Sequence, residues 1–409
     1  MGTFHTATHN EPYINHSRTL GYDFLPTASV QKTSSRSRAI YGQANVDLGQ
    51  MLDGLSLTAG YRHTWDSAYR QVWNLNPATL AVTSTTGGRG TAAGEGHWNS
   101  GGYTVGLQWQ YIPDVMFFVT NSKGYGAGGT QNVVGFEKYD PDSLNNIEVG
   151  TKATFNVGDW LIRTNASYFH GWFNNVKVNV TRIAQAAGQA PQLIVVTQNA
   201  AKAKISGVDA DITIVPNEWL EVGGFVAYTD ARYTEWPSSV VISTNPLVTE
   251  PVDLSDTPFS FTPKWKWSLR GTFHLPVDDA WGDMSLSANL TWTDTLYNVA
   301  KPRTPTDPNN PASGIICSRF RTAEWGYPDV VADGQKIAVD CNETYYNLDI
   351  NFNWDAIYGV DGLNGSIYVT NVTKNIYTDG QCGCDVALGV TSPAPAPPRM
   401  FGIKLRYDF

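Results

Sequence analysis

Long apolar runs, dense charge and a secretory leader are all missing from this chain of 409 residues. Without about eighteen consecutive apolar residues it has no transmembrane helix, although strands that are apolar on one face remain possible. Only 16% of the residues are charged and the formal net charge is −9, so no basic surface favours nucleic acid. Residues 1–38 lack a basic start followed by an apolar stretch, so no signal peptide is visible.

Motifs that carry catalysis are also missing. The sequence contains no zinc-protease motif, no serine-hydrolase motif and no phosphate-binding loop, and the glycine-rich stretch 87–96 lacks the required lysine. The four cysteines do not have the spacing of zinc ligands. We therefore expect no enzymatic activity, no metal site and no bound cofactor.

The four cysteines leave a disulfide open. Cys317 and Cys341 fall in one long predicted loop and are the natural pair if the chain enters an oxidising compartment. Four cysteines allow three connectivities, and free thiols are the alternative.

Aromatic residues are abundant, with 14 Trp and 20 Tyr, and apolar residues alternate with polar ones over many segments. The clearest are 101–111, 264–275, 284–293 and 346–354. Because the side chains of a strand alternate between its faces, each segment has one apolar and one polar face. Lengths near ten residues and aromatics at the strand ends favour membrane-crossing strands, with the apolar face toward lipid and the polar face toward a hollow centre.

About thirteen strands are predicted from this alternation. Their ranges are 41–48, 55–66, 101–111, 115–123, 145–156, 160–174, 193–215, 220–233, 263–275, 284–297, 344–353, 363–371 and 399–409. The connections alternate strictly between short and long, with short ones near 49–54, 112–114, 157–159, 216–219, 276–283 and 354–362. Short periplasmic turns opposite long extracellular loops are typical of outer-membrane barrels. We therefore predict an all-β fold, an antiparallel transmembrane β-barrel.

Seven stretches resemble, in order, the β-barrel of TonB-dependent outer-membrane receptors. They are 39–50, 55–62, 139–155, 200–235, 261–273, 371–377 and 398–409. The most specific is 200–235, where Gly207 and the carboxylate of Asp209 occupy the expected hairpin, although the family more often has Glu at the latter position. The chain also stops at an aromatic residue, as barrels of the outer membrane do. The resemblance therefore implies that Tyr407 and Phe409 form the signal recognised by the outer-membrane assembly machinery.

The resemblance also sets the expected organisation of the chain. Residues 39–409 correspond to the C-terminal portion of a barrel that has 22 strands in complete family members. Residues 1–38 are expected to be an irregular N-terminal segment. Nothing in the sequence resembles the plug domain or the TonB-contact segment of the family. We therefore expect a chain that is truncated at its beginning and that does not import a solute by itself.

Candidate ligand contacts come from two groups of residues. The first is cationic and comprises Lys264, Lys266 and Arg270, which could meet an acidic chelate or a carboxylated solute; the alternative is a polar lumen wall, together with Arg62, Glu148 and Lys152. The second group is aromatic and could line an extracellular vestibule or belong to the interfacial girdle. Its members are Trp98, Tyr125, Tyr233, Trp236, Trp325 and Tyr327.

The resemblance implies a receptor in the outer membrane of a Gram-negative bacterium, surrounded by lipid and dependent on the TonB complex. The expected activity is energised uptake of a scarce solute, most often a ferric siderophore, and the sequence does not identify the small-molecule ligand. Two alternatives stay open. One is a passive, porin-like pore, and the other is a surface binding protein that transports nothing.

Overall fold

The computed structural model of the protein describes residues 2–14, 28–76, 79–88, 94–131, 133, 135–184, 192–244, 247–255, 259–297, 331–332, 335–336, 341–342, 344–381 and 393–409. Within these ranges the chain forms β-strands and two single-turn 3-10 helices, Asp279–Trp281 and Ile357–Gly359. None of the described helices is long and apolar enough to cross a membrane.

Fourteen strands follow one another in chain order across one antiparallel sheet. They are β1 (Gly2–Ile14), β2 (Ala28–Asp47), β3 (Leu55–Leu75), β4 (Glu95–Ile112), β5 (Val115–Gly126), β6 (Asp142–Val157), β7 (Trp160–Ala184), β8 (Gln192–Asn217), β9 (Leu220–Glu235), β10 (Trp265–His274), β11 (Asp283–Thr293), β12 (Tyr345–Asp355), β13 (Leu363–Thr370) and β14 (Met400–Tyr407). Such an up-and-down sheet is the architecture of a β-barrel wall, which confirms the predicted fold class. In the described part of the chain, no pairing joins β1 to β14.

The short connections all lie at one end of this sheet, which we call the short-turn end. They cover residues 48–54, 113–114, 158–159, 218–219, 275–282 and 356–362. The opposite, long-loop end carries small paired ribbons, among them Gly129–Thr130 with Lys138–Tyr139, Pro237–Thr244 with Leu247–Asp253, and Thr378–Gln381 with Pro393–Pro395. The predicted alternation of short and long connections is therefore confirmed.

Glycine is required where two turns approach a neighbouring strand. Gly54 has φ 74°, and a Cβ at this position would lie 2.2 Å from the carbonyl oxygen of Gln110. Gly282 has φ 84°, and its Cβ would lie 2.2 Å from the carbonyl oxygen of Ala356. Only glycine adopts such left-handed backbone without strain while allowing this close approach, so these residues help to fix the tight turns.

The prediction of an irregular segment over 1–38 is wrong. Residues 2–14 form β1, which pairs with β2, and β2 itself begins at Ala28. Residues 28–38, ASVQKTSSRSR, are mostly polar, so they gave no alternating signal. These residues lie toward the long-loop end, where both faces of a strand can meet water, so cross-strand pairing forms the strand without alternation. Within the described ranges the wall therefore has fourteen strands along its path rather than about thirteen.

Two hairpins are also longer than predicted. Strand β3 continues to Leu75 and pairs with β2 along its whole length. Strands β7 and β8 rise to Ala184 and Gln192, past an irregularity in register between Phe173 and Val176. The extra residues lie beyond the length of a membrane crossing, so the predicted long loops begin as paired β-ribbons.

One side of the sheet carries mainly apolar side chains and the other mainly polar ones; we call them the apolar face and the polar face. On β10 the apolar face carries Trp265 and Leu269, which are 46% and 56% exposed, whereas Ser268 on the polar face is only 7% exposed. On the polar face Asn165 Nδ2 donates to both carboxylate oxygens of Asp211, at 3.1 and 3.0 Å. The apolar row is therefore not buried in a compact two-layer core. This agrees with the predicted orientation, lipid on the apolar side and a polar interior.

Aromatic pairs mark both limits of the apolar face. Near the long-loop end the rings of Tyr228 and Trp265 are 4.7 Å apart. Near the short-turn end Trp109 lies 6.1 Å from Phe117. Aromatic rings flanking an apolar band on both sides form the interfacial girdles of a membrane barrel.

A small apolar core lies at the long-loop end, and we call it the long-loop cluster. Its buried residues are Val176, Val178, Val180, Ala201, Ala203, Trp236 and Leu254, with Phe173, Ala200, Tyr233 and Phe259 packed against them. The cluster forms where the extensions of β7 and β8 meet the chain on either side of the 237–253 ribbon. In this cluster, side chains of the long-loop end bury apolar surface against one another.

Candidate ligand-binding face

The polar face carries two recesses. The first has a volume of about 280 Å³ and is lined by charged, amide and aromatic side chains from β5 to β9. These include Phe118, Glu148, Lys152, Asn165, Asp209, Asp211 and Phe225. Lys152 Nζ lies 5.9 Å above the centroid of the Phe118 ring. Three carboxylates against one lysine make this recess acidic.

The second recess has a volume of about 510 Å³ and lies on β10 to β14. Arg270, Lys404 and Asp349 supply its charges, so it carries more positive than negative groups. Arg270 Nη2 donates to Thr213 Oγ1 at 3.2 Å and lies 4.0 Å from Glu221 Oε1. Asp349 Oδ1 accepts from the backbone N–H of Asn371 at 2.8 Å. The aspartate thus fixes the backbone, and the Arg270 guanidinium reaches over β9 toward β8 from the edge of the recess.

Of the predicted cationic contacts, Arg270 lines this recess, and Lys264 and Lys266 follow it toward the long-loop end. Lys266 and Arg270 are on the polar face of β10, four positions apart, and Lys264 immediately precedes the strand. All three are exposed. In the part of the chain that the structure describes, neither Lys264 nor Lys266 forms an ion pair. Their charges therefore remain accessible to a ligand, and ligand contact itself stays a prediction.

The other predicted wall residues use their polar groups on neighbours. Arg62 Nε donates to Thr64 Oγ1 at 3.1 Å, and Thr64 is completely buried. Glu148 and Lys152 line the acidic recess. The Arg62 contact is of the kind expected in a hydrogen-bonded lumen wall, and the choice between wall and ligand contact stays a prediction for all three residues.

Trp98 and Tyr125 both have Asp66 as a neighbour, a residue that the sequence interpretation missed. Asp66 lies opposite Trp98 in the register of β3 and β4. The Tyr125 phenol lies near the side chains of Thr64 and Asp66. The indole N–H of Trp98 donates to Asp140 Oδ1 at 3.1 Å, which ties the wall to the loop above it. Both aromatics therefore lie at the long-loop mouth of the polar face.

The 127–141 loop is fastened to β8 by paired amide contacts. Gln131 Nε2 donates to the carbonyl of Thr197 at 2.8 Å, and Gln131 Oε1 accepts from the Thr197 N–H at 2.9 Å. Asn199 makes the same kind of pair with the backbone of Asp140, at 2.6 and 2.7 Å. The loop is therefore positioned by four hydrogen bonds that no sequence pattern indicated.

An ion pair closes the base of the same loop. Lys177 Nζ lies 3.3 Å from Asp142 Oδ1, and both side chains are largely buried. The carboxylate also accepts from the Gly126 N–H at 3.0 Å, and the ammonium donates to the carbonyl of Ala127 at 2.9 Å. Because the partial burial is matched by hydrogen bonds on both sides, removing either charge would leave the other uncompensated.

Tyr233 and Trp236 do not line an open vestibule. Trp236 is 4% exposed and belongs to the long-loop cluster, and its ring lies 4.5 Å from that of Tyr233. Tyr233 also lies 4.4 Å from Phe259. Tyr233 is thirteen positions beyond the start of β9 at the short-turn end, outside the membrane-crossing length, and burial raises its pKa to about 12. Their predicted role as ligand-lining residues is therefore wrong for Trp236, because apolar neighbours already cover it.

The remaining predicted residues are placed only in part. Trp325, Tyr327 and Cys317 lie outside the described residues. Cys341 lies in a two-residue ribbon opposite Tyr297, and the disulfide stays a prediction. At the C-terminus the rings of Tyr407 and Phe409 are 5.1 Å apart on the short-turn side. Within the described ranges no cluster of three or more His, Cys, Asp or Glu residues could hold a metal ion.

Comparison with known proteins gives a family and a fold. A family model described as "TonB dependent receptor-like, beta-barrel" matches residues 2–372. The ferric yersiniabactin uptake receptor FyuA from Yersinia pestis is similar in structure, with a TM-score of 0.63 and 14% identity over 94% of this chain and 47% of that chain. The closed form of the ferric-catecholate import receptor Fiu from E. coli K12 has a TM-score of 0.56 and 14% identity, over 93% of this chain and 46% of that one.

A third solved structure, the siderophore receptor PiuA from Acinetobacter baumannii, has a TM-score of 0.54 and 12% identity, over 99% of this chain and 55% of that one. At these identities the likeness concerns the fold alone. The chain spans about half the length of the solved receptors that it matches. No curated protein sequence matches it.

Proposed function

The chain belongs to the TonB-dependent receptor β-barrel family, and from this membership we propose that it supplies the wall and loops of an outer-membrane receptor for energised solute uptake. The observation that carries the proposal is the family match over residues 2–372, on a sheet whose apolar face is flanked by aromatic rings. Its place is the outer membrane of a Gram-negative cell. We assign no catalytic step to the chain.

The proposed ligand is an anionic metal chelate, with a ferric siderophore as the leading case. Lys264, Lys266, Arg270 and Lys404 are exposed cations on or beside one part of the polar face. Carboxylate, catecholate and hydroxamate oxygens around a metal would accept hydrogen bonds from these groups, and Arg suits bidentate contacts. The similar receptors from Yersinia pestis and E. coli take ferric yersiniabactin and ferric catecholates, respectively.

The described geometry suggests how such a ligand would be received. Trp98 and Tyr125 lie at the long-loop mouth, and the fastened 127–141 loop provides a preformed rim beside them. A preformed rim lowers the entropy lost on binding. In the proposal, the TonB complex then supplies the force for import, and the assembly machinery recognises the strand that ends at Phe409.

Equilibrium binding of defined probes tests the proposal. Ferric yersiniabactin and a ferric catecholate would be titrated against the 409-residue chain in detergent, followed by tryptophan fluorescence. The triple variant Lys264→Gln, Lys266→Gln, Arg270→Gln is expected to bind at least about tenfold more weakly, since each charge-assisted hydrogen bond contributes substantially.

A matched triple variant controls for the loss of charge. Lys123→Gln, Lys204→Gln and Arg232→Gln remove three cations located on the apolar-face side and should leave binding unchanged. Equal weakening in both triple variants, or no chelate binding by the wild type, would contradict the proposed ligand class.

A further inference from the structure

Two arginines on β2 lie where the apolar face ends on the long-loop side of the membrane. From the short turn upward, this face of β2 is apolar from Val46 to Ile40, and the next two positions on it are Arg38 and Arg36. Arg38 lies about nine residues from the turn, and a tilted strand crosses the hydrocarbon in about nine to eleven residues. Both arginines are therefore at the level of the lipid headgroups on the long-loop side.

An interfacial tryptophan beside them supports this level. Trp65 on β3 is the register partner of Arg38 and is 49% exposed. The ring of His63, one position nearer the membrane centre on the same face, lies 4.6 Å from Trp65 in an edge-on arrangement. Tryptophan concentrates at the membrane–water interface, so the guanidinium of Arg38 is carried to the same depth.

Neither arginine has a carboxylate partner in the part of the chain that the structure describes. Both are exposed. On the other side of β2 the register partners of Arg38 and Arg36 are His5 and Ala7, neither of which is acidic. The cations on the same face of β8 and β9 do have carboxylate partners. Lys202 lies 2.9 Å from Glu235, and Arg232 pairs with Asp230.

We propose that Arg36 and Arg38 form a binding site for the phosphate of an anionic lipid headgroup in the outer leaflet. Guanidinium groups bind phosphate oxygens through paired N–H donors. The whole chain has a net charge of −9, so general attraction of anions is unfavourable and binding must be local. A membrane lipid is the occupant that fits, because its acyl chains would lie along the apolar face below Arg38, next to Ile40.

Lipid retention by the full chain tests this site. The 409-residue protein in detergent is exchanged with phosphatidylglycerol or phosphatidylcholine, and bound lipid is counted by native mass spectrometry. We expect preferential retention of phosphatidylglycerol. Arg36→Gln with Arg38→Gln should weaken its retention about 30-fold, since each basic residue near an anionic surface contributes about fivefold. Arg36→Lys with Arg38→Lys should keep most of it.

The control pair is Lys202→Gln with Arg232→Gln, which removes the same charge from cations that already have acidic partners. It should retain the lipid as the wild type does. Equal loss in this control, equal retention of the zwitterionic lipid, or displacement by inorganic phosphate at the lipid's own concentration would overturn the proposal. If the Gln pair fails to fold, the salt dependence of the wild type is the second test. Retention of phosphatidylglycerol over phosphatidylcholine should fall as the salt concentration rises, and a preference that salt does not change would overturn the phosphate–arginine contact.

Discussion

Trp236 illustrates how one position can hold together a part of the molecule that the membrane does not support. Its side chain is buried in the long-loop cluster, and its indole N–H has no hydrogen-bond partner among the described residues. Packing rather than hydrogen bonding therefore explains its contribution. A residue with this environment is conspicuous in the fold but looks, in the sequence, like any other loop aromatic.

Trp236→Ala is expected to destabilise the long-loop cluster by about 3–5 kcal/mol, because a large buried side chain is lost. Trp236→Phe should cost less, since it keeps most of the contacts and removes an unpaired donor. Cleavage by a glutamate-specific protease at Glu250, in the ribbon that follows Trp236, would report the loosening. Trp265→Ala, at an exposed position on the apolar face, should leave cleavage at Glu250 unchanged. Faster cleavage at Glu250 in this variant as well would contradict a specific role of Trp236 in the long-loop cluster.

Tyr233 gives the cluster a pH dependence. Burial raises its pKa from 10.0 to about 12, so the folded cluster favours the neutral phenol. The stabilisation is complete below pH 10 and is lost as the pH rises through about 12, because the unfolded segment ionises first. Tyrosinate absorbance of the wild type minus that of Tyr233→Phe should show one late titration. A difference curve centred near 10 would contradict this.

At the scale of elements, the sequence predicted strands well where a strand crosses the membrane and poorly beyond it. Alternation located the crossing parts of β4 and β10 because lipid on one side and polar groups on the other impose a period of two. Strand β1 and residues 28–38 of β2 were not predicted as strands, because a strand with water on both sides has no such alternation. The contacts that position the 127–141 loop were equally hidden, since Gln131 and Asn199 act through backbone groups of residues about 60 positions away.

The 127–141 loop should loosen when its amide contacts are removed. Gln131→Ala with Asn199→Ala deletes the four hydrogen bonds between the loop and β8, and a fifth from Asn199 to the carbonyl of Asn175. Each contributes about 1 kcal/mol. Hydrogen exchange of the loop amides is expected to become faster, while exchange in the crossing part of β6 stays slow. Asn45→Ala, which removes one contact with Thr58 inside the wall, is the control. Unchanged loop exchange in the double variant would show that the Asp142–Lys177 pair alone suffices.

At the scale of the whole molecule, the fourteen-stranded sheet leaves β1 and β14 each with one neighbour in the described part of the chain. In hydrocarbon, unpaired backbone N–H and C=O groups are costly, so closed barrels are the form in which strands span membranes. The 409 residues are therefore not expected to enclose a defined pore by themselves.

Reconstitution of the 409-residue polypeptide in planar bilayers should give unstable leak rather than a fixed conductance level. Liposomes that contain it should show no TonB-dependent uptake of a ferric catecholate. A complete family receptor, treated in the same way, serves as the positive control for both assays. Stable unitary currents would favour the passive-pore alternative, and TonB-dependent uptake would show that this polypeptide is sufficient for import.

The exposed edge of β14, the last strand, predicts how the protein behaves without a membrane. Phe401, Ile403 and Leu405 are 83%, 81% and 72% exposed, beside a row of backbone groups that no further strand covers among the described residues. The unpaired backbone groups of such an edge can hydrogen-bond with a strand of a second molecule. Concentrated protein without detergent should therefore polymerise into fibrils that bind thioflavin. A gatekeeper substitution, Ile403→Lys, should delay their nucleation, whereas Leu57→Lys, within the sheet, should not.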